Sequence, residues 1–304
     1  MTGRALLLIN RHSRRGQETL EQVVSELEAL GFKLFEESTE KPQQLTSIIQ
    51  SYRDRVDVVI VGGGDGTLNA SIEGIIDTQL PLGILPLGTA NDLARTLGIP
   101  QSIPQACQVI AAGYKQRIDL GQVNRKYFFN VASLGLSVQI TKQLDKKLKR
   151  TWGVLAYGMT ALRVILKARP FRAEIRLGGK SIHVKTVQIA VGNGRYYGGG
   201  MAVAEDATID DQRLDLYSLE CQHWWQILLW LPAMKLGTHS GWDGVRTLQG
   251  KEFEIYTRKP LSINADGEIV TQTPARFRLL PKAIAVYVPN SSTIPGTIGV
   301  PAQT

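Results

Sequence analysis

Cysteine is nearly missing from this 304-residue chain: only Cys107 and Cys221 occur, and no Cys-x-x-Cys spacing is present. A disulfide framework and a cysteine-rich metal centre are thereby excluded. Long apolar runs are missing as well. None reaches the roughly 20 residues that a bilayer-spanning helix needs. The first apolar run, Ala5 to Ile9, has the length of a strand rather than of a signal segment, so a cytoplasmic protein is expected. No internal repeat is visible. Charged residues make up 20% and hydrophobic residues 43% of the chain, a balance that fits a globular protein with enough material for two modest domains. Acidic residues are the scarcer charge, and the net charge is +8. That surplus fits an anionic partner (nucleotide, nucleic acid or an acidic membrane surface) or simply a solubilising exterior.

Glycine, by contrast, is plentiful and concentrated. The apolar run Val56-Asp57-Val58-Val59-Ile60-Val61 leads directly into Gly62-Gly63-Gly64-Asp65-Gly66-Thr67, and Leu68-Asn69-Ala70-Ser71-Ile72 reads as a helix opening. Glycines admit a ligand close to the backbone, and a helix N-terminus adds unpaired N–H groups and a positive dipole end. Such a loop suits a phosphate chain, with the Asp65 carboxylate placed where a metal–phosphate group would sit. Alone, it fits a tight strand-to-helix turn equally well. A second apolar run, Leu82 to Leu87, enters a second turn, Gly88-Thr89-Ala90-Asn91-Asp92. Two such turns at the carboxyl ends of nearby strands mark the ligand edge of an open α/β sheet.

The first part of the chain alternates strand and helix. Strands are expected at Arg4–Asn10, Phe32–Glu36, Val56–Val61 and Leu82–Leu85. Helices are expected at Gln17–Leu30, Pro42–Arg53, Thr67–Ile76, Asp92–Leu97 and Pro104–Ala112. That rhythm implies a parallel, doubly wound sheet. After about residue 115 strand-like runs dominate: Gln116–Val123, Lys126–Val131, Arg172–Leu177, His183–Val191, Arg213–Leu219, Phe253–Thr257, Leu261–Asn264, Ala275–Leu280 and Ala283–Val288. They predict an antiparallel sandwich or barrel. Helical insertions are expected at Lys142–Ala168 and in the Trp-rich His223–Leu236, and a loose tail after Pro289.

Several residues outside the glycine loop can carry chemistry, each with an ordinary alternative. The hydroxyls of Thr67 and Thr89 suit phosphate. Asp92 and Asp119 are acids near a helix start and a strand, and Asp92 equally suits a helix dipole. Arg95 suits a phosphate or an ion pair with an acid, and Arg11, Arg14 and Arg15 suit nucleotide phosphates, anionic lipid or plain solvent. The turn Asn264-Ala265-Asp266-Gly267-Glu268 offers either a general base or an Asp-Gly hairpin. Gly192-Asn193-Gly194-Arg195 with Gly198-Gly199-Gly200 lines a site or forms a long turn. Thr208-Ile209-Asp210-Asp211 suits a hard cation or an acidic turn. The segments Lys146-Lys147-Leu148-Lys149-Arg150 and Trp224-Trp225-Gln226-Ile227 fit interfacial lipid binding or core packing.

Taken together, the strings GGGDGTLNA, LGILPLGTANDLARTLGIP, IDLGQVN, FNVASLG, VGNGRYYGGGM, ATIDDQRLDL and NADGE resemble the diacylglycerol kinase catalytic-domain family, and within it the soluble bacterial YegS-like lipid kinases. The resemblance covers nearly the whole chain. It implies an N-terminal α/β ATP-binding domain (1–115), a C-terminal β-sandwich lipid and metal domain (116–290, its last strand free to return to the first domain), a tail (291–304), and an active site in the cleft between the domains. It implies ATP-dependent phosphorylation of a lipid hydroxyl at a membrane surface, with peripheral membrane association and no nucleic-acid partner. A homodimer is left open. Carried over position by position, Thr39, Gly63, Gly64, Asp65, Gly66, Thr67, Leu68, Asn69 and Thr89 match the ATP-binding set. Glu268 matches the proton acceptor, and Asp65, Asp92, Asp119 and Asp266 match further acids of the site. A magnesium ion is implied on Asp211, with the backbone carbonyls of Thr208 and Arg213. Here the chain departs from the family: Gln212 stands where glycine is common, and Arg213 where an aliphatic is usual. The alternatives are a kinase of NAD-kinase type acting on a soluble substrate, and a non-catalytic nucleotide-gated membrane-binding protein.

Overall fold

A computed structural model describes residues 3–9, 16–38, 42–143, 162–197, 200–202, 207–221, 225–227 and 242–290. The first part is built from β1 (Arg4–Ile9), α1 (Gly16–Ala29), β2 (Lys33–Glu37), α2 (Leu45–Ser51, entered by a 3-10 turn at Pro42–Gln44), β3 (Val58–Gly63), α3 (Asp65–Thr78), β4 (Leu82–Pro86), α4 (Asp92–Thr96) and α5 (Ile103–Ala112). β2, β1, β3 and β4 lie side by side in that order, and each pair is parallel. β1, β3 and β4 are buried along nearly their whole length, as strands covered on both faces by helices must be. Their aliphatic residues join Val23, Leu27, Ile49, Leu68, Ile72 and Ile110 from the helices in one core. Both glycine turns leave this sheet at carboxyl ends, where open α/β sheets place their ligands.

The second part contains β5 (Lys115–Val123), β6 (Lys126–Phe128), β7 (Val131–Gly135), α6 (Leu136–Gln143), β8 (Phe171–Leu177), β9 (Lys180–Thr186), β10 (Gln188–Gly192), β11 (Tyr196–Tyr197), β12 (Met201–Ala202), β13 (Leu214–Leu219), β14 (Val245–Gly250), β15 (Glu252–Thr257), β16 (Ser262–Ala265), β17 (Glu268–Gln272) and β18 (Ala275–Tyr287). β14-β13-β10-β7-β16-β17 form an antiparallel sheet. It packs on β8, β9, β15 and the first half of β18 through Leu134, Ile175, Ile189, Leu216, Phe253, Ile263 and Phe277. That is a sandwich core. β18 continues into the first sheet, pairing antiparallel with β5 and parallel with β4 through Val286 and Leu82.

Four expected strands are drawn differently. The run His183–Val191 is two strands. Thr186 donates its hydroxyl to the carbonyls of Gln188 and Leu219, and the chain crosses there from one sheet to the other. The run Lys126–Val131 ends at Phe128, and its continuation is the separate β7. Ala275–Val288, expected as two strands, is a single strand with an irregularity between Leu280 and Ile284, where Pro281 offers no N–H and Lys282 adopts φ +48°. β14, β17 and α6 were not anticipated as elements of their own. The basic loop 11–15, the basic cluster 146–150, most of the Trp-rich stretch, Gly198, Gly199 and the tail 291–304 lie outside the described residues.

Candidate active site

The two glycine turns touch backbone to backbone. A Cβ on Gly64 would stand 3.2 Å from the Gly88 Cα, and one on Gly88 would overlap the Gly64 Cα outright. Gly88 is also pressed on Asn91, whose Oδ1 accepts the Gly88 N–H at 2.9 Å. Asn91 sits at φ +51°, a conformation that asparagine tolerates better than most side chains. Its amide nitrogen donates to the Gly88 carbonyl and to Gln101 Oε1. Asn91 is thus the staple of the second turn.

Gly64 precedes α3 in extended conformation, and its carbonyl accepts the N–H groups of Thr67 and Leu68 at 3.0 and 3.1 Å. The N–H groups of Asp65 and Gly66, one turn earlier, have no carbonyl behind them within the helix, and both residues are half-exposed. These are the phosphate-facing donors that the loop offers. Thr67 packs its side chain into the space that a Cβ on Gly63 would fill, 2.7 Å from Oγ1. Leu68 is buried in the core; only its backbone belongs to the loop. Thr89 is exposed on the second turn. Asp65 turns one oxygen to the Leu93 N–H at 3.1 Å, tying the first turn to the start of α4. Its other oxygen takes no hydrogen bond among the described residues. Asp92, the first residue of α4, is buried beside it. Thr39 lies outside the described residues.

From the second domain, the turn between β16 and β17 reaches this loop. Glu268 Oε1 lies 3.6 Å from where a Cβ on Gly66 would be. The Glu268 carboxylate is exposed and accepts no hydrogen bond among the described residues. Two residues earlier, Asp266 is held in the left-handed region, at φ +46°, and accepts four hydrogen bonds. Its donors are the backbone N–H groups of Phe129 (2.7 Å), Asn130 (3.1 Å) and Val131 (3.1 Å), and Asn69 Nδ2 (3.0 Å). Burial pushes this carboxyl up to about 6, while the Val131, Phe129 and Asn130 N–H groups and the Asn69 amide pull it back. The Asn69–Asp266 bond joins the first turn of α3 to the turn that carries Glu268. Asn264 Oδ1 accepts the Gly267 N–H and closes the turn from within.

Asn130 was not singled out although it stands in a quoted string, and Asn193 belongs to the Gly192–Arg195 stretch expected to line a site or form a long turn. Asn193 Nδ2 donates to the carbonyls of Phe129 and Asp119, and the Asn193 N–H donates to the Asn130 carbonyl. Beyond them lies Asp119. It is 1% exposed, and its two oxygens accept the N–H groups of Gln212 (2.7 Å) and Lys282 (2.6 Å). Asp119 therefore joins the 208–213 turn to β18. At that turn Asp211 accepts the N–H groups of Thr208 and Arg213, each at 3.1 Å. Arg213 Nε stands 3.3 Å from Asp211 and 3.4 Å from Asp215.

Comparison with known proteins agrees with this geometry. Residues 4–123 match the family model described as the diacylglycerol kinase catalytic domain, and residues 130–288 match the YegS C-terminal NAD kinase beta sandwich-like domain. A protein of Enterobacter sp. (strain 638) named "Probable lipid kinase YegS-like" is 33% identical over 94% of this chain and 96% of its own length. The diacylglycerol kinase of Bacillus subtilis (strain 168) is 29% identical over 94% of this chain and 96% of its own. A crystal structure of a diacylglycerol kinase from Bacillus anthracis str. Sterne superposes with a TM-score of 0.81 at 26% identity, covering 96% of this chain and 99% of that one. The chain belongs to the diacylglycerol kinase catalytic-domain family, with the YegS-like lipid kinases among its relatives, and is a phosphotransferase with an alcohol group as acceptor.

Proposed function

We propose that this protein transfers the γ-phosphoryl group of ATP to the hydroxyl of a lipid, diacylglycerol, phosphatidylglycerol or a related molecule, presented at a membrane surface. The observation that carries the reading is the approach of Glu268 to Gly66. It sets a carboxylate from one domain against a helix N-terminus from the other. In this reading the Asp65 and Gly66 N–H groups hold the terminal phosphates, with the hydroxyls of Thr67 and Thr89 beside them. Thr39 completes the nucleotide set. Glu268 takes the proton from the lipid O–H as that oxygen forms its bond to the γ-phosphorus. The bond from phosphorus to the ADP oxygen breaks, and ADP leaves with the electron pair. The residues present fit a magnesium ion on the phosphates: Asp65 has one carboxylate oxygen left after binding the Leu93 N–H. When bound, the ion would neutralise phosphate charge, which is most of what phosphoryl transfer requires beyond positioning. Asp266 and Asn69 hold the base in register with the loop, and Asp92 lines the start of α4.

The test is to incubate the purified protein with γ-labelled ATP, magnesium and a total bacterial lipid extract, and to analyse both phases. Label is expected in a lipid product, and Asp65→Asn, which retains an oxygen for the Leu93 N–H, is expected to abolish it without lowering the melting temperature. Label confined to a soluble product overturns the lipid reading in favour of a soluble acceptor. ATP-dependent binding to vesicles with no labelled product at all overturns catalysis.

A further inference from the structure

The family resemblance implies a divalent ion at the 208–213 turn, and the residues do not fit one. A magnesium or calcium ion needs carboxylate oxygens with free lone pairs as part of a set of about six or more oxygen ligands. Each oxygen of Asp211 accepts one backbone N–H, from Thr208 and from Arg213, and the Arg213 guanidinium already stands 3.3 Å from Oδ2, where a metal ion would have to approach. Asp119 is bound likewise to Gln212 and Lys282, and Asp215 accepts Gln249 Nε2 at 2.9 Å. Among the described residues no group of three or more His, Cys, Asp or Glu side chains is arranged to hold a metal.

A positive charge is nevertheless called for. Asp119, Asp211 and Asp215 converge on one turn, and Asp119 and Asp215 are buried. Arg213 Nε lies between Asp211 and Asp215, 3.3 Å from one carboxylate and 3.4 Å from the other. Its side chain is only 27% exposed. A guanidinium remains charged at every working pH and presents donors in a plane that suits two carboxylates.

We propose that the Arg213 guanidinium is the resident cation of this turn, so that the second domain of this chain holds its 208–213 turn without a divalent metal. The relation to Gln212 is consistent. Gln212 adopts φ +58°, where a glycine would be relaxed, and its N–H is fixed by the buried Asp119. The turn keeps the shape of a cation-binding turn while the cation is covalently part of it.

Melting of the nucleotide-free full chain in EDTA and in millimolar magnesium chloride tests this without any turnover. Wild type is expected to melt at the same temperature in both. Arg213→Leu is expected to melt about 3–6 °C lower than wild type in EDTA, and Arg213→Lys, which keeps the charge, is expected to recover part of that loss. A wild-type protein that gains several degrees on adding magnesium overturns the proposal, as does an Arg213→Leu variant that melts like wild type in EDTA. If Arg213→Leu proves insoluble, the wild-type comparison and Arg213→Lys still decide. The readout is independent of lipid phosphorylation, so either reading can fail without the other.

Discussion

Two acid turns in the second domain are built alike and used differently. Each carries a non-glycine residue in the left-handed region, Asp266 at φ +46° and Gln212 at φ +58°. Each is anchored by a buried carboxylate that accepts backbone N–H groups, Asp266 in one and Asp119 in the other. They diverge in what neutralises the remaining acid. At the 208–213 turn Arg213 stands against Asp211 and Asp215. At the 264–268 turn the anchoring carboxylate receives only neutral donors among the described residues, and the Glu268 side chain stands exposed at the glycine loop. An acid already matched by a cation is structural. An acid left unmatched beside a helix N-terminus is available to a phosphate, a metal on that phosphate, or a substrate proton.

The sharpest way to break this contrast is to neutralise one acid from each turn. Glu268→Gln is expected to lower the transfer rate by about 10²–10⁴-fold, the usual worth of a positioned base, with no change in melting temperature. Asp211→Asn is expected to do the reverse, lowering stability by about 1–3 kcal/mol with the rate per folded molecule kept. Steady-state kinetics beside thermal melts separate the two, and a loss of rate in both variants would erase the distinction.

Next in size is the titration of the anchor itself. The folded pKa of Asp266, about 6, lies above its unfolded value. Its contribution to stability is therefore full below about pH 4 and is lost as the pH rises through 6. That rise is worth about 3 kcal/mol. The stability deficit of Asp266→Asn is accordingly expected to be greatest near pH 4 and to shrink by about that amount by pH 7, measured by urea unfolding across the range. A deficit that grows with pH would mean that the four donors outweigh burial.

The smallest effects come from backbone conformation. Gly267 adopts φ +95° with open space around its missing Cβ, so Gly267→Ala is expected to cost about 1 kcal/mol through strain alone. Gln212→Gly should relax a similar strain, and its melting temperature should rise slightly rather than fall. Opposite signs in this pair would show that both turns hold the same left-handed geometry for the same reason.

Much of this was legible in residues close together in sequence. The Gly62–Thr67 loop, the Gly88–Asp92 turn and the β/α alternation before them are local patterns, and local patterns set strands, helices and the sheet edge they share. The contact of Gly64 with Gly88 follows once the two strands are neighbours. The Asn69–Asp266 bond was not legible, because it joins residues 197 apart and nothing in either segment states its partner. Asn130, and the turn-holding roles of Asn91 and Asn193, escaped notice for a related reason. A buried asparagine that satisfies backbone groups carries no charge pattern and no period. The division of His183–Val191 into β9 and β10 was hidden because one apolar run serves two sheets, and only the threonine hydroxyl at the crossing gives it away. At Asp119 the sequence shows an acid in a strand but not the Gln212 and Lys282 N–H groups that surround it.

β18 begins in the sandwich beside β15 and ends beside β4, opposite Leu82. A strand formed near the far end of the described chain is thus the final slat in a sheet begun at Arg4. During synthesis the nucleotide half leaves the ribosome with its β4 flank bare, and it stays so until some two hundred further residues have followed. The same strand is an unbroken strut running through both halves, so any breathing of the cleft must bend it at the Pro281–Lys282 irregularity. A chain clipped just before that point would lose the seam between its halves, and the Asn69–Asp266 bond would be left to keep Glu268 opposite Gly66.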